Sequence, residues 1–280
     1  MDGVVIGAGT MGLGIAYVLA AAGDEVTVVE PDEGQARAAR TRIAQVARNA
    51  VERGRLDSAE ADALVERVAF VSSLEEVETT EPALAIEAVP ERLELKRTVL
   101  RAAEALRPRM LATNTSGLSI DAIAEGLSDP ASFIGLHFFN PVWAMPLVEI
   151  VRGSATAEPT LQAARDLAAR IGKEAIVVKD SPGFATSRLG VALGLEAMRM
   201  LEEGVAEAAD IDRAMELGYR HPMGPLRLTD LVGLDVRLDI ARHLAETYGP
   251  RFAPPRILEE KVAKGELGKK TGRGFYDWSE

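Results

Sequence analysis

Residues 3–30 read GVVIGAGTMGLGIAYVLAAAGDEVTVVE, and the order of residue types in that stretch decides the fold. Residues 3–6 are a short apolar run that suits a buried strand. Residues 10–22 form an apolar run long enough for a helix, stopped by Gly23. Residues 25–29 are a second β-branched run. Strand, loop, helix and strand, with about 25 residues between strand starts, make the parallel crossover unit. The loop is Gly7-Ala8-Gly9-Thr10-Met11-Gly12. GxGxxG is a weak pattern alone, but here it follows a strand and opens a helix. Gly7 permits the tight turn, Gly9 lets the backbone approach a pyrophosphate, and Gly12 lets helix and strand pack closely. The helix start offers N–H groups and partial positive charge to phosphates. A plain glycine turn between core elements is the bland alternative. Glu30 ends the second strand, where its carboxylate can accept from both adenosine ribose hydroxyls and would repel a 2′-phosphate. The loop and Glu30 therefore predict NAD rather than NADP. Asp32 is a rival for that role, although a turn carboxylate or helix N-cap suits it better.

Working outward, residues 33–53 and 57–66 read as amphipathic helices, the latter capped by Asp57 or Ser58. Short apolar runs recur at 68–71, 83–86, 110–113, 133–137 and 147–151, with helices expected at 91–106 and 119–127. Such alternation predicts an α/β fold with a Rossmann-type, mostly parallel sheet. After residues 175–178 the texture changes at Ser181-Pro182-Gly183. Helices are expected at 184–203, 210–217, 225–247 and 255–264. The expected division is an NAD-binding domain over 1–180 and an all-α C-terminal domain over 181–280.

Composition narrows the function classes. Apolar residues make up 47% of 280, so a sizeable core is available. With no cysteine, disulfides, thiolate metal sites and thiol nucleophiles are excluded. A formal charge of −11 makes a poor general nucleic-acid binder. The start of the chain lacks a basic segment before an apolar one, and no apolar stretch is long enough to span a bilayer. A cytoplasmic protein without membrane or nucleic-acid partners is expected. No HExxH or cysteine cluster suggests a metal.

Three histidines are present. His221 precedes a Pro-Met-Gly-Pro turn and reads as structural, and His243 falls in a charged helical stretch. His137 ends a strand-like run, and Glu149 stands alone in the apolar run 146–151. A carboxylate there is costly to bury unless paired. A histidine from a neighbouring segment would suit it, either for proton transfer or as a structural ion pair. Residue types do not decide between the two.

The segments GAGTMGLGIA (7–16), IEAVPERLELK (86–96), TNTSGLSI (113–120), GLHFFNP (135–141), LVEIV (147–151), KDSPGF (179–184), HPMGPLRLTDLVGLD (221–235) and KKTGRGFYDW (269–278) are specific, in order, and nearly span the chain. In them the sequence resembles the short-chain L-3-hydroxyacyl-CoA dehydrogenases, including 3-hydroxybutyryl-CoA dehydrogenases. The resemblance implies NAD-dependent, reversible oxidation of an (S)-3-hydroxyacyl-CoA to the 3-oxoacyl-CoA by a homodimer. The C-terminal domain would serve substrate binding and dimerisation. His137 would be the general base and Glu149 its orienting partner. Ser116 would hydrogen-bond the substrate oxygen at C3 and stand near the cofactor. Asn140 would line the nicotinamide end, and Glu91, Lys96 and Lys270 would contact the cofactor. Ser116 as a helix cap, and Lys96 and Lys270 as solvated charges, are the structural alternatives. Arg48, Arg53 and Arg55 read as solvated charges or as contacts for CoA phosphates.

One position departs from the family. Ser187 stands where the family has an Asn that supports the catalytic hydrogen bonds. Ser is shorter but still donates and accepts. This leaves room for a small hydroxy acid or a carrier-tethered hydroxyacyl group as substrate. A relative that binds NAD without catalysis is the reading from another class.

Overall fold

The structure is a computed structural model that describes residues 1–279. The chain divides into two compact units, Met1–Asp180 and Ser181–Glu280.

The first unit is built on one eight-stranded sheet. The strands are β1 (Asp2–Ile6), β2 (Glu25–Val29), β3 (Val68–Val71), β4 (Leu84–Glu87), β5 (Leu111–Thr113), β6 (Phe133–Phe138), β7 (Leu147–Arg152) and β8 (Glu174–Lys179). Their spatial order is β3-β2-β1-β4-β5-β6-β7-β8. All neighbours are parallel except β6 and β7, which run antiparallel with His137 opposite Glu149. The order reverses between β1 and β4, and in doubly wound sheets ligands bind at the carboxyl ends beside such a switch point.

Helix α1 (Thr10–Ala21) is apolar all round and buried from Gly12 to Ala20, as a helix between sheet and outer layer must be. It ends where the N–H groups of Ala22 and Gly23 return to carbonyls of its last turn, with Gly23 at φ 88°. Helix α2 (Glu33–Glu52) buries Ala39, Ile43, Val46 and Ala47, a stripe spaced four, seven and eight residues from its start. Asp32 caps it, accepting from the Gln35 N–H at 2.7 Å. Helix α3 (Ser58–Glu66) starts with a capping box, Asp57 and Glu60 each accepting from the other's N–H.

Helix α4 covers only Leu93–Ala103, the expected last turn tightening into a 3-10 turn at Glu104–Leu106, and α5 covers only Ile120–Ala124. The crossover from β7 to β8 carries α6 (Glu158–Arg170), whose Leu161, Ala164, Leu167 and Ala168 are buried. The apolar-run reading does not register this helix. Its buried positions are a threonine, two leucines and two alanines, interrupted by Arg165 and Asp166.

The second unit is helical: α7 (Thr186–Glu202), α8 (Ala208–Tyr219), α9 (Pro225–Val232), α10 (Leu234–Tyr248) and α11 (Arg256–Ala263). Its core gathers Val191, Leu195, Met198, Leu226, Leu238 and Leu244. The single helix expected over 225–247 is two. Gly233 at φ 107° breaks it: its N–H closes α9 on Thr229 O, and the next N–H donates to Leu267 O outside the helix. Buried Asp230 holds the chain's last segment, accepting from the N–H groups of Phe275 and Tyr276 and from Trp278 Nε1 at 2.8–2.9 Å. Among the described residues, no helix is long and apolar enough to cross a membrane.

Candidate active site

The glycine loop joins β1 to α1 and leaves a cleft of ≈ 770 Å³ lined by Gly7, Gly9, Met11, Glu30, Ala88 and Val89 among others. A Cβ on Gly7 would stand 3.0 Å from Ala88 O, and one on Gly12 would stand 1.9 Å from Gly7 O. Both glycines therefore set close backbone packing. A Cβ on Gly9 would meet nothing within 4 Å, so the fold itself does not require glycine there. That leaves space at the loop crest, which a pyrophosphate can use. Gly9 caps α1 without a side-chain hydrogen bond, and no acidic residue occupies the first turn. The helix start thus keeps its N–H groups for an anion.

Glu30, 7% exposed, is held by three donors: Ala8 N at 2.9 Å, Asp32 N at 3.0 Å and Gln35 Nε2 at 2.6 Å. The carboxylate is thereby aimed into the cleft it lines. Its rival Asp32 is the cap of α2. Gln35, which sequence reasoning missed, lines this cleft and a second one of ≈ 450 Å³. The second cleft also brings Asn140 beside Ala8, Gly9 and Thr10. The glycine loop, the helix start and the Glu30 carboxylate that lines the cleft together fit a dinucleotide.

At β6 and β7, the antiparallel register places His137 across from Glu149. His137 Nδ1 lies 2.7 Å from Glu149 Oε2, with His137 6% and Glu149 0% exposed. The His137 ring also packs on Phe139, with centroids 4.4 Å apart. Asn114 Oδ1 accepts from Phe138 N at 2.9 Å, tying the segment after β5 to the end of β6. Ser116, just after β5, and His137, near the end of β6, thus lie at the carboxyl ends of neighbouring parallel strands.

Glu91 joins the same rim. Its Oε1 accepts from Thr115 Oγ1, Ser116 N and Gly117 N at 2.5, 2.9 and 3.2 Å, and more weakly from Ser116 Oγ at 3.3 Å. Burial pushes the Glu91 carboxyl up. The Lys96 charge and the hydrogen bonds from Thr115 and Ser116 outweigh this and hold it below the usual carboxylate range. Ser116 is no helix cap, because Ser119 caps α5 by accepting from Ala122 N at 3.1 Å.

Lys96 is not a solvated charge. It is 1% exposed, and its Nζ meets Glu87 Oε1 at 2.7 Å, Glu91 Oε2 at 3.2 Å and Val89 O at 3.2 Å. Glu87, fully buried at the end of β4, escaped sequence reasoning. Its signal was the one used for Glu149, a lone carboxylate in an apolar run.

In the second unit, Ser187 sits half-buried in the first turn of α7. Lys270 lies 2.6 Å from Asp235. His221 is half-buried, and His243 is exposed on α10. Back in the first unit, Arg53 and Arg55 line a cavity of ≈ 280 Å³ with Arg42, Tyr17 and Trp143. Arg48 lies elsewhere, donating to Gln45 Oε1 at 3.0 Å.

Comparison with known proteins gives consistent relatives. Residues 3–181 match the family profile described as 3-hydroxyacyl-CoA dehydrogenase, NAD binding domain. Residues 183–278 match that of the 3-hydroxyacyl-CoA dehydrogenase C-terminal domain. A 3-hydroxybutyryl-CoA dehydrogenase of Mycobacterium tuberculosis is 40% identical over 279 residues, covering 98% of this chain and 97% of the relative. A probable 3-hydroxybutyryl-CoA dehydrogenase of Bacillus subtilis is 40% identical over 281 residues, covering 99% and 97%. The crystal structure of an (S)-3-hydroxybutyryl-CoA dehydrogenase from Ralstonia eutropha matches with a TM-score of 0.94 at 36% identity, covering 100% of this chain and 99% of that one.

Proposed function

Because the chain belongs to the 3-hydroxyacyl-CoA dehydrogenase family and is an NAD-dependent dehydrogenase, we propose that it oxidises the C3 hydroxyl of an (S)-3-hydroxyacyl-CoA, reversibly. A short acyl chain is favoured, since the relatives above carry 3-hydroxybutyryl-CoA in their names. The observation that carries the mechanism is the buried His137–Glu149 pair, 2.7 Å apart across two strands. Nδ1 faces the carboxylate, which assigns proton transfer to Nε2. His137 takes the C3 hydroxyl proton, and Glu149 fixes the imidazole tautomer and stabilises the imidazolium that forms. NAD supplies the hydride acceptor. Ser116 holds the substrate oxygen, and the hydrogen bonds from its N–H and hydroxyl to Glu91 orient it. Asn140 lines the nicotinamide end, and Glu30 binds the adenosine ribose. Arg42, Arg53 and Arg55 offer positive charge to the CoA phosphates.

The second unit forms a homodimer interface, which is supported by its exposed large apolar side chains, with Leu189 65% and Val236 40% accessible. Ser187 favours a second reading, a small hydroxy acid or carrier-tethered hydroxyacyl substrate, because the supporting Asn of the family is absent.

The test is NADH formation from (S)-3-hydroxybutyryl-CoA and a longer (S)-3-hydroxyacyl-CoA, with NADP+ and a free hydroxy acid as controls. Oxidation of either thioester with NAD+ supports the proposal. Turnover of the hydroxy acid alone supports the second reading. NAD binding without turnover of any of these overturns the assignment to CoA thioesters.

A further inference from the structure

Residues 139–146 connect β6, which carries His137, to β7, which carries Glu149. Within this connection Asn140, Pro141 and Trp143 line the ≈ 450 Å³ cleft together with Ala8, Gly9 and Thr10 of the glycine loop. Lys173 Nζ donates to two of its carbonyls, Val142 O and Met145 O, each at 2.6 Å. The connection also closes on itself, Pro141 O accepting from Ala144 N at 2.9 Å and from Met145 N at 3.0 Å. Val142 packs on α1, where a Cβ on Gly14 would stand 2.7 Å from Val142 Cγ2. Lys173 itself is rooted where α6 ends. Gly172 takes φ 69°, and the N–H groups of Gly172 and Lys173 return to Ala169 O and Ala168 O. Such a glycine stop fixes the backbone beneath the lysine side chain. The next residue, Glu174, pairs with Leu147 of β7 and donates its N–H to Pro146 O at 2.8 Å.

We infer that Lys173 is a positioning residue: it holds the 140–146 segment so that Asn140 keeps its place in the cleft beside the glycine loop. The internal hydrogen bonds of the segment converge on one acceptor, Pro141 O. A single ammonium takes two further carbonyls, one on each side of Trp143. Hydrogen bonds from a charged donor are roughly twice as strong as neutral ones, so these two carry a large share of what fixes the segment. An aliphatic side chain at 173 offers neither, and a segment held by few hydrogen bonds opens locally without global unfolding. Catalysis is sensitive to such loosening, because a misplacement of about 1 Å can cost about 10²-fold in rate. The catalytic part rests on the proposed role of Asn140 at the nicotinamide end, and the holding of the segment does not.

The test compares Lys173→Met, which keeps an aliphatic stem and removes the donors, with Lys173→Arg, which keeps donors and charge, each as the full chain. Hydrogen–deuterium exchange with mass spectrometry reads a peptide covering residues 139–147, with a peptide from α1 as internal reference. Oxidation of (S)-3-hydroxybutyryl-CoA reads kcat and KM, and Tm reads global stability. In Lys173→Met, exchange across 139–147 should quicken about tenfold or more while α1 keeps its parental rate. The kcat should fall roughly tenfold, and Lys173→Arg should recover most of both effects. Parental exchange across the segment in a folded Lys173→Met overturns the inference. Faster exchange throughout the first unit with a lowered Tm overturns it too, because that pattern marks a residue serving overall stability alone. Faster exchange confined to the segment, with kcat unchanged, overturns the catalytic part. If Lys173→Met does not fold, Lys173→Gln, with a neutral donor, carries the same comparison. Exchange is read without substrate, so it tests the segment even where the parent does not oxidise the thioester, and failure of the inference and failure of the proposed reaction are distinguishable.

Discussion

Glu149→Gln isolates the charge of the carboxylate while keeping its shape. In the parent protein the carboxylate lies 2.7 Å from His137 Nδ1, and neither side chain is open to solvent. In the proposed mechanism, the imidazole gains a positive charge beside that carboxylate as the substrate hydroxyl loses its proton. Two unit charges about 4 Å apart at an effective dielectric of about 20 attract by about 4 kcal/mol. Gln removes that attraction and leaves an amide. If its carbonyl accepts from Nδ1–H, the productive tautomer survives and the charge alone is lost. If its NH2 donates to Nδ1, the proton moves to Nε2 and the base atom is blocked. Both arrangements slow the proton-coupled step. At 1.36 kcal/mol per decade, 4 kcal/mol corresponds to about 10³-fold in rate. The assay is pre-steady-state NADH formation from (S)-3-hydroxybutyryl-CoA, because product release can mask chemistry in kcat. NADH affinity, which does not involve this pair, should stay within about threefold of the parent as roughly neutral substitutions away from a ligand do. A chemical step slowed less than about tenfold, under 1.4 kcal/mol, in a folded variant would refute the role given to Glu149.

Further outcomes follow from the glycine loop and the rim. Gly12→Ala puts a Cβ 1.9 Å from Gly7 O; it should destabilise the fold by about 1–3 kcal/mol or more, read as a lowered Tm. Gly9→Ala meets nothing within 4 Å; Tm should hold while NADH affinity drops, and unchanged affinity would remove the pyrophosphate from the loop crest. Glu30→Ala deletes the ribose acceptor, costing about 1–3 kcal/mol of NAD binding, and should raise the NADP/NAD ratio of kcat/KM, since a like charge no longer opposes the 2′-phosphate. Glu91, held below its usual range, contributes stability that is complete above the ordinary glutamate pKa and is lost as pH falls through its own lower value. Acid titration of Glu91→Gln, followed by circular dichroism, should therefore show a shallower fall in stability on the acid side than the parent.

How much of this was legible before folding differs by element. The first β-loop-α-β unit reads directly from residues 3–30, because a glycine loop between a β-branched run and an apolar run is a local signal. The end of α1 at Gly23 and the starts of α2 and α3 at Asp32 and Asp57 were equally local. Helix α6 was not legible: its inward face uses alanine as often as leucine, and charged residues dilute the pattern. The break at Gly233 was misread because a glycine inside an apolar helical pattern does not reveal its φ, and the carbonyl that captures the next N–H is Leu267, far along the chain. In the site, His137 and Glu149 could be named separately, but whether they meet depends on an antiparallel register that no local pattern encodes.

The sequence by itself determined the α/β class, the glycine loop, the carboxylate that ends β2 and the chemical types of the catalytic candidates. Each of these is written in residues within one turn or one strand of each other, where geometry follows from spacing. Tertiary structure alone decided that Lys96 is buried under the cofactor cleft rather than solvated. It alone decided that Glu87 is its partner and that Glu91 holds the Ser116 segment. Those facts depend on how β4, β5 and α4 converge. The electrostatic character of an ionisable side chain depends on which distant groups surround it and on how much water they exclude.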